Sequence, residues 1–262
     1  MNVDLLDHGY IRLIETWGSD ERIIESARMS TDGAFRGWHD RECGRCHGTG
    51  WHREVRAGLV VSKWECEPCN GKGIIKGDEH LLRYLYDNKH ATPFEFGGLV
   101  IEVQAPIMVF REWQRHRTQS YNELSARYTP LPDLYYMPTL ERCMLNSAGN
   151  NKQAGTAKGA AELTEARAEK FLADTKALYE HAERVYQANL KDGIPKELAR
   201  VVMPVGHYSR MRASANLRNW IGFMTLRSDP KAQWEIRQYS DALGVFVSQA
   251  FPRTWKLFQG EK

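Results

Sequence analysis

The amino-acid sequence predicts a soluble globular protein of mixed α and β structure, α/β or α+β, and three observations support this class. The 262 residues are enough to bury a core without help from disulfides or metal. Hydrophobic residues make up 42% of the chain and charged residues 26%, which is ordinary for a soluble domain. Stretches with strand-like alternation also follow stretches with helical spacing along the chain.

Candidate strands and helices alternate in the first part of the chain. Residues 3 to 17, VDLLDHGYIRLIETW, have the composition of a strand, and Ser19 provides an N-cap for a helix that includes ERIIESARMS. Helical spacing of leucines returns in residues 78 to 90. Residues 97 to 110, GGLVIEVQAPIMVF, then alternate between apolar and polar positions as a strand does, and Pro106 should end or bulge it.

Helices dominate the second half of the predicted structure. Residues 161 to 190 carry Phe171, Leu178 and Val185 at seven-residue spacing, which predicts an amphipathic helix with these side chains packed on the core. The helices expected after it span residues 195 to 203, 214 to 227 and 231 to 250.

Two segments interrupt the regular pattern. Between residues 33 and 77 the composition shifts to glycine, cysteine, tryptophan, histidine and arginine, which indicates an insertion with its own structural support. Residues 147 to 161, SAGNNKQAGTAKGAA, are small and polar and predict a flexible surface loop. We therefore expect a single domain of residues 1 to 262, interrupted by this insertion and this loop.

The insertion contains one cysteine pattern twice. CGRCHGTG at residues 43 to 50 and CEPCNGKG at 66 to 73 both match CxxCxGxG. Two thiolates separated by two residues can reach one ion from a single turn, and glycines let the backbone turn around it. Four such ligands suit tetrahedral zinc and close its shell, which predicts a structural rather than a catalytic metal. The expected ligands are Cys43, Cys46, Cys66 and Cys69.

This repeat resembles the cysteine-rich zinc module of J-domain chaperones, which carries four such repeats where this chain has two. The resemblance implies zinc and not chaperone activity. The alternative, four free thiols or a redox pair, leaves the matched glycines unexplained. Cys143 stands apart from the pattern and is interpreted as an ordinary packed cysteine.

Charge and apolar patterning limit the partners and the location of the protein. The net charge of +3 lies below the strongly basic balance of a dedicated nucleic-acid-binding domain, so any anion site must be local. The N-terminal residues lack a signal-peptide pattern, and no run of eighteen apolar residues occurs. Because paired CxxC cysteines suit a reducing compartment, we expect a cytoplasmic protein without a membrane segment.

The most informative stretch is RHRTQSYNELSARY, residues 115 to 128, in which cationic side chains are interleaved with hydroxyl and amide groups. Helical spacing would place Arg111, Arg115 and Thr118 on one face. Guanidinium groups match phosphate oxygens, while the other side chains match ribose hydroxyls and base edges. An arginine cluster can also be a solvated charged face, but this mixture favours a phosphorylated, nucleotide-like ligand.

The same stretch resembles the signature RHRxxSxNExSxRY of the flavin-dependent thymidylate synthases and meets every signature position. Supporting matches are ARMS near the N-terminus, HATPFE at 90 to 95, IPKELARVVMP at 194 to 204, ANLRNWIGFMTLR at 215 to 227 and AQWEI at 232 to 236. The resemblance covers nearly everything except the cysteine insertion and the loop at 147 to 161.

The resemblance implies an α+β fold in which an antiparallel sheet packs with helices and carries the small zinc-binding insertion. It also implies that the single domain is catalytic and methylates dUMP to dTMP, with methylenetetrahydrofolate as carbon donor, FAD as hydride carrier and NADPH as reductant. Members of the family are homotetramers whose active sites combine residues from several subunits.

Roles of individual residues follow from the resemblance position by position. It implies flavin contacts by Ser30, His90, Thr92, Glu95, Arg115, His116, Arg117, Asn122, Glu123, Asn216 and Arg218. It implies dUMP contacts by Arg115, Glu123, Ser125, Ala126, Arg127, Arg200 and Arg227. The implied catalytic residues are Arg227, which would polarise the uracil ring, Arg115 and His90.

Two positions depart from the family pattern. Glu112 stands where relatives often have glutamine, and its carboxylate would be unfavourable beside a phosphate unless it faces an arginine or a hydroxyl. Gly222 stands where some relatives have a flavin-contacting asparagine.

If zinc takes four cysteines, only Cys143 is left as a cysteine nucleophile, in an unpromising sequence. The residues therefore favour hydride transfer by a cofactor over covalent catalysis.

Two other functions stay open on the sequence alone. A zinc-containing protein could use the arginine stretch to hold RNA or single-stranded DNA, with bases stacked on Trp51, Trp64 or Trp113. The near-neutral net charge argues against nucleic acid as the partner. Alternatively, the enzyme is intact and the zinc insertion docks a partner protein.

Overall fold

The structure of the chain, a computed structural model, describes residues 1–146, 157–158 and 163–260. These residues form two compact units. The first comprises Met1–Trp17 and Gly98–Trp255, and the second comprises Gly18–Gly97 with the C-terminal residues from Lys256 onward. The insertion predicted at residues 33 to 77 lies entirely in the second unit.

Both kinds of regular element occur, as the sequence predicts. The strands are β1 (Asn2–Leu5), β2 (Gly9–Trp17), β3 (Arg41–Glu42), β4 (Trp51–Arg56), β5 (Leu59–Glu65), β6 (Ile74–Ile75), β7 (Gly98–Pro106), β8 (Ser120–Glu123), β9 (Leu145–Asn146), β10 (Ala157–Lys158) and β11 (Tyr208–Asn216). The helices are α1 (Asp20–Arg28), α2 (Glu79–Asp87), α3 (Ile107–Trp113), α4 (Leu140–Met144), α5 (Glu165–Lys191), α6 (Lys196–Ala199), α7 (Leu217–Arg227), α8 (Trp234–Ala250) and α9 (Pro252–Phe258). Short 3-10 turns span Met29–Thr31, Glu67–Cys69, Thr92–Glu95 and Arg200–Val202.

The first unit is organised around an antiparallel sheet with strand order β1-β2-β7-β11-β8. β7 and β11 pair along their full length, from Gly98 with Asn216 to Pro106 with Tyr208. β8 pairs with the other edge of β11. This order places the middle of the signature stretch on an edge strand of the sheet.

One face of this sheet is covered by helices α7 and α8. Leu99, Ile101 and Val103 alternate with partly exposed residues along β7 and are completely shielded from solvent. Aromatic residues of α3 and α7 fill the adjoining layer, where the rings of Trp113 and Phe223 have centroids 4.5 Å apart. The apolar periodicity of the strand thus determines which face of the sheet is buried.

The strand predictions near the N-terminus need one correction. Residues 3 to 17 form the antiparallel hairpin of β1 and β2 rather than one strand, because the chain reverses at residues 6 to 8, where Leu6 has a positive φ of 57°. The strand predicted at residues 97 to 110 ends at Pro106, as expected, and the chain continues as α3.

The signature stretch is not helical. α3 ends at Trp113, so the prediction that Arg111, Arg115 and Thr118 share a helical face is wrong. The chain leaves the helix because the residues that follow pair with β11 as strand β8. The hydroxyl of Tyr121 in that strand donates to the carbonyl oxygen of His116 at 2.6 Å, which ties the loop after α3 to the strand. The carbonyl oxygen of Trp113 at the helix end accepts from the backbone N–H of His116 at 3.0 Å.

The helix predicted from residue 214 begins at Leu217 instead. Ser214 still belongs to β11, and the side chain of Asn216 caps the helix by accepting from the backbone N–H of Asn219 at 3.0 Å. The other predicted helices are present within a few residues, and Ser19 caps α1 as expected. Strand β11 and helix α9 are not indicated by the sequence patterns.

Helix α5 is present, but the prediction that its apolar stripe packs on the core is wrong. Phe171 and Leu178 are 52% and 57% exposed. The buried residues of the helix are Ala168, Ala182 and Tyr186, because small alanine side chains allow the helix to approach its neighbours closely. Phe171 and Leu178 therefore face outward, whereas Val185, the third residue of the repeat, is half-buried.

In the second unit, a buried carboxylate ties the insertion to the helices. Asp78 is completely shielded from solvent and accepts from Arg28 Nε at 3.0 Å and from the backbone N–H of Arg36 at 2.7 Å. The indole N–H of Trp38 donates to Glu21 at 2.9 Å. These contacts fix the start of the insertion against α1 and the residue that precedes α2.

The loop predicted at residues 147 to 161 lies outside the described residues, apart from Ala157 and Lys158, which pair with the two residues of β9. Within the described ranges, none of the helices has both the length and the apolar character needed to cross a bilayer.

Candidate active site

The predicted site residues fall into two groups, one in each unit, and each group is described by itself. In the first unit, the loop of residues 114 to 119 joins α3 to β8. The side-chain amide of Asn219 donates to the carbonyl oxygen of Thr118 at 3.0 Å and fixes this loop on α7. Arg115 and Arg117 are exposed, and neither forms an ion pair with any residue of the described ranges.

Arg227, in the last turn of α7, is tied to the signature loop and to α3. Its Nε donates to Nε2 of His116 at 2.9 Å, its Nη1 to the carboxylate of Glu112 at 2.6 Å, and its Nη2 to the carbonyl oxygen of Glu112 at 2.8 Å. The Arg227 side chain is 15% exposed and that of Glu112 is 42% exposed. Glu112 therefore faces an arginine. This meets the condition stated above, because the positive charge of Arg227 offsets the repulsion between the carboxylate and a phosphate.

His116 is a neutral imidazole with a defined tautomer. Burial and, second to it, the positive charge of Arg227 lower the pKa of His116 to about 4. Because Arg227 donates to Nε2, the ring proton of the neutral form lies on Nδ1. The ring of Phe223 packs against the imidazole with centroids 4.8 Å apart. The site thus offers an uncharged ring in a fixed orientation.

Glu123, the last residue of β8, is held by two side chains that no sequence motif indicates. Ser209 Oγ donates to its Oε1 at 2.8 Å, and Gln114 Nε2 donates to its Oε2 at 3.3 Å. Ser209 is buried in β11 and lies 86 positions away along the chain. Only the antiparallel pairing of β8 with β11 brings it to Glu123.

The turn after β8 is built on a buried alanine. Ala126 packs with Ala199 in a small cluster of buried residues. Its neighbour Arg127 is exposed and forms an ion pair with Glu197, with Nε and Oε2 separated by 3.3 Å. Arg200 follows Ala199 and is also exposed. This packing holds the turn that carries Arg127 beside the segment that carries Arg200.

The other predicted residues of the first unit are exposed or half-buried. Asn122 is exposed on β8, and Arg218 is exposed in the first turn of α7. Ser125 Oγ accepts from a backbone N–H two residues later at 3.3 Å, and the Oδ1 of Asn216 caps α7. Gly222 is exposed on the same helix, with open space where a side chain would project.

Four predicted flavin residues lie in the second unit. Ser30 is exposed, and its Oγ donates to a backbone carbonyl oxygen at 3.0 Å. Thr92 and Glu95 belong to one 3-10 turn. His90 lies at the surface just before this turn, with its ring 5.5 Å from that of Tyr84.

An open cavity of about 610 Å³ lies beside this turn in the second unit. Thr92 and Met29, the neighbour of Ser30, both line it, whereas His90 and Glu95 do not. Met29 and Phe96, also in its lining, are 75% and 57% exposed. The cavity therefore offers apolar contact surface next to a hydroxyl, which suits a ring system with polar substituents.

The four cysteines of the insertion converge on one point. They are buried, and their Sγ atoms all lie within 4.8 Å of one another. The Sγ atoms of Cys43 and Cys66, and those of Cys46 and Cys69, are 3.7 Å apart. An ion bound tetrahedrally at about 2.3 Å from each sulfur would separate the sulfurs by roughly 3.8 Å. Hydrogen bonds from backbone N–H groups and neighbouring thiols outweigh the effect of burial on Cys43 and lower its pKa to about 7, whereas burial and the neighbouring thiols raise the pKa of Cys66 to about 12.

The last glycine of each CxxCxGxG repeat is required by close backbone contact. Gly50 and Gly73 have positive φ angles of 78° and 72°, and a β-carbon on either would lie 2.0 Å from the carbonyl oxygen of Gly71 or Gly48, respectively, in the other repeat. Their N–H groups donate to cysteine Sγ atoms at 3.2 and 3.3 Å. The two repeats thus pack against each other around the sulfur cluster.

Known proteins resemble this chain in sequence and in fold. Residues 12–253 match the family described as thymidylate synthase complementing protein. A flavin-dependent thymidylate synthase of Thermus thermophilus is 32% identical over 259 residues, which are 99% of this chain and 78% of that protein. The enzyme of the same name from Thermosipho africanus is 30% identical over 260 residues, 98% of this chain and 94% of that protein.

A solved structure extends the likeness to the fold. The crystal structure of the UMP/dUMP methylase PolB from Streptomyces cacaoi bound with 5-Br dUMP superposes with a TM-score of 0.72 at 26% identity, covering 99% of this chain and 98% of that one. The expected α+β fold with an antiparallel sheet is confirmed. The chain therefore belongs to the thymidylate synthase complementing protein family, that of the flavin-dependent thymidylate synthases.

Proposed function

We propose that this chain converts dUMP to dTMP, with methylenetetrahydrofolate as carbon donor, FAD as hydride carrier and NADPH as reductant. The observation that carries the proposal is a complete signature at residues 115 to 128, set on one loop and edge strand, with Arg227 bonded into it through His116. Relatives named for this activity match nearly the whole chain at about 30% identity.

Exposed cations of the first unit support binding of nucleotide phosphates. Arg115, Arg117 and Arg200 form no ion pair with the residues described, and Arg127 has only an exposed pair with Glu197. A phosphomonoester carries about −1.5 to −2 charges near neutral pH, and guanidinium forks bind its oxygens in pairs. We assign the phosphate of dUMP and the pyrophosphate of the flavin to these arginines.

Arg227 is assigned to the uracil ring. A guanidinium carries more N–H donors than the three bonds to His116 and Glu112 use, so Nη1 and Nη2 each keep a donor for a ring carbonyl oxygen. A positive charge held at that oxygen stabilises negative charge on the ring. FAD, when bound, supplies the hydride.

The remaining roles implied by the family resemblance are kept as proposals. They are flavin contacts at the second-unit residues and at the signature loop, dUMP contacts at residues 123 to 127 and Arg200, and catalytic roles for Arg115 and His90. We also propose one catalytic domain of residues 1 to 262, a cytoplasmic location, and a homotetramer with shared active sites. Exposed arginines and the exposed apolar face of α5 support the assembly.

We further propose that Cys43, Cys46, Cys66 and Cys69 hold a structural zinc ion. The spacing of the sulfurs, their burial and the backbone N–H donors around them all fit a tetrathiolate site. Elemental mass spectrometry of the purified protein should find one zinc per chain. Protein that folds fully without zinc would refute this proposal.

The catalytic proposal is tested by incubating purified protein with dUMP, methylenetetrahydrofolate and NADPH, with and without added FAD, and measuring dTMP by mass spectrometry. We expect product that depends on flavin and is lost in Arg227→Ala. Glu54→Gln, which removes a carboxylate from an exposed ion pair of the insertion, is the control and should keep full activity. No product from folded, zinc-loaded protein would refute the proposal, and binding of single-stranded nucleic acid would then be measured as a function of salt.

A further inference from the structure

Glu112 accepts two of the three hydrogen bonds that Arg227 donates. Its Oε2 accepts from Nη1 at 2.6 Å and its own carbonyl oxygen accepts from Nη2 at 2.8 Å, while His116 accepts from Nε at 2.9 Å. These acceptors contact all three nitrogens of a planar group, so they fix its plane as well as its position. Rotation of the guanidinium would break at least one of the bonds.

The Glu112–Arg227 pair lines an open cavity of about 630 Å³ in the first unit. Among the described lining residues, the charges of Arg227 and Lys231 are balanced by those of Glu112 and Asp229. A phosphate placed here would meet two carboxylates. An uncharged ring needs only hydrogen-bond donors for its carbonyl oxygens, and the cavity offers these donors although its charges cancel. The cavity therefore suits the pyrimidine end of a nucleotide better than its phosphate.

Stability of the fold does not by itself explain the pair. The Glu112 side chain is 42% exposed, so solvent screens part of its attraction to Arg227, whose side chain is 15% exposed. The fixed orientation of Arg227 is instead what a residue that contacts a reacting ring requires, because small misplacements of such groups are costly for the rate.

We propose that Glu112 is a positioning residue for this enzyme. It fixes Arg227 in the orientation that leaves donors on Nη1 and Nη2 for the pyrimidine, and its charge balances that of the arginine so that the cavity selects the ring over the phosphate. This inference rests on the proposed function, because it takes the pyrimidine of dUMP as the ligand.

Steady-state kinetics of Glu112→Ala and Glu112→Gln test the proposal, with Glu54→Gln as the matched control. Glu112→Ala should lower kcat by at least about tenfold, since a misplacement of about 1 Å costs on the order of 10²-fold, and should leave the KM for NADPH unchanged. Glu112→Gln keeps an oxygen that can accept from Nη1 and should recover most of kcat. Because it removes the balancing charge, inorganic phosphate should inhibit Glu112→Gln more strongly than wild type.

A readout independent of turnover separates this inference from the proposed function. The Nη1–H nitrogen-15 signal of Arg227, whose proton the Glu112 carboxylate accepts, is assigned by its absence in Arg227→Lys. It should exchange slowly with water in wild type and Glu112→Gln and fast in Glu112→Ala. Wild-type exchange and kcat in Glu112→Ala would overturn the positioning role, and unchanged phosphate inhibition in Glu112→Gln would overturn the charge balance. If Glu112→Ala does not fold, poor recovery of kcat in folded Glu112→Gln overturns the proposal. Absence of dTMP in wild type with the expected exchange pattern would sink the proposed function and leave the Glu112–Arg227 contact supported.

Discussion

Two residues that lie 111 positions apart determine each other's chemistry at the site. Arg227 donates to Nε2 of His116, and its charge adds to the effect of burial in holding the pKa of that imidazole near 4. The ring is therefore uncharged and able to accept at neutral pH. Protonation of His116 would place a second cation against Arg227 and remove the acceptor.

We expect the wild-type protein to lose stability as the pH is lowered from 7 towards 4. The His116 pKa is 6.5 for the ordinary side chain and about 4 in the folded protein, so the unfolded state binds more protons between these values and acid favours unfolding. The contribution of His116 is fully present above pH 6.5 and is lost as the pH falls through 4. Urea unfolding at several pH values measures it.

The matched variant for this measurement is His116→Asn, which offers Arg227 an acceptor oxygen and does not titrate. Its free energy of unfolding should fall less between about pH 7 and pH 5 than that of the wild type. Equal pH slopes for the two proteins would assign the acid sensitivity to other groups.

Ser209→Ala tests the support of Glu123. Loss of the 2.8 Å hydrogen bond to Oε1 should raise the KM for dUMP by roughly two- to tenfold, because one hydrogen bond contributes about 0.5–1.5 kcal/mol. Ser248→Ala, which removes a hydroxyl bonded only to its own helix, is the control for steady-state kinetics. A wild-type KM in Ser209→Ala would mean that Ser209 is not needed to place the carboxylate.

Local sequence patterns identify the residues that carry chemistry but not the residues that hold them. His116 and Glu123 are found because their spacing within one stretch is fixed. Ser209 has no such pattern, since its proximity arises from the pairing of β8 with β11. The partner of Glu112 likewise becomes visible only when α7 returns beside α3.

At the scale of elements, strand pairing and capping decide where the predicted elements begin and end. The N-cap at Ser19 is sufficient for α1 and the apolar spacing of residues 78 to 90 for α2, and both helices occur where the sequence predicts them. The helices expected around Thr118 and Ser214 do not form there, because the chain at or next to these residues pairs as strand β8 or β11 with a strand far away in sequence. A helical period read within one segment contains no information about such a partner.

The proposed zinc site gives a prediction that depends on backbone contact between the two cysteine repeats rather than on the proposed ligands. Gly73→Ala should lower the zinc content well below one per chain, because the new β-carbon would lie 2.0 Å from the carbonyl oxygen of Gly48. Gly58→Ala is the matched control, since Gly58 also has a positive φ, of 80°, but has open space around it. Elemental mass spectrometry measures both variants, and equal zinc contents would show that the packing of the two repeats is not needed for metal binding.

At the scale of the whole molecule, a single chain leaves apolar side chains and arginines exposed to solvent. Phe171 and Leu178 of α5 are largely exposed at seven-residue spacing, and exposed apolar patches of this kind mark protein interfaces. Arg115, Arg117 and Arg200 are exposed without ion-pair partners among the residues described. Both features are explained by a homotetramer with shared active sites, which stays a prediction.

Leu178→Glu tests whether α5 contributes to this assembly. A buried carboxylate at an interface is costly, so we expect light scattering to give a molar mass well below that of the tetramer, and dTMP formation to fall with it. Leu59→Glu, the same change at a residue 72% exposed in the insertion hairpin, should preserve the mass. An unchanged mass for Leu178→Glu would exclude this face of α5 as an interface. A reduced mass with full activity would show instead that each active site is complete within the smaller species, because shared sites cannot survive the loss of the subunits that build them.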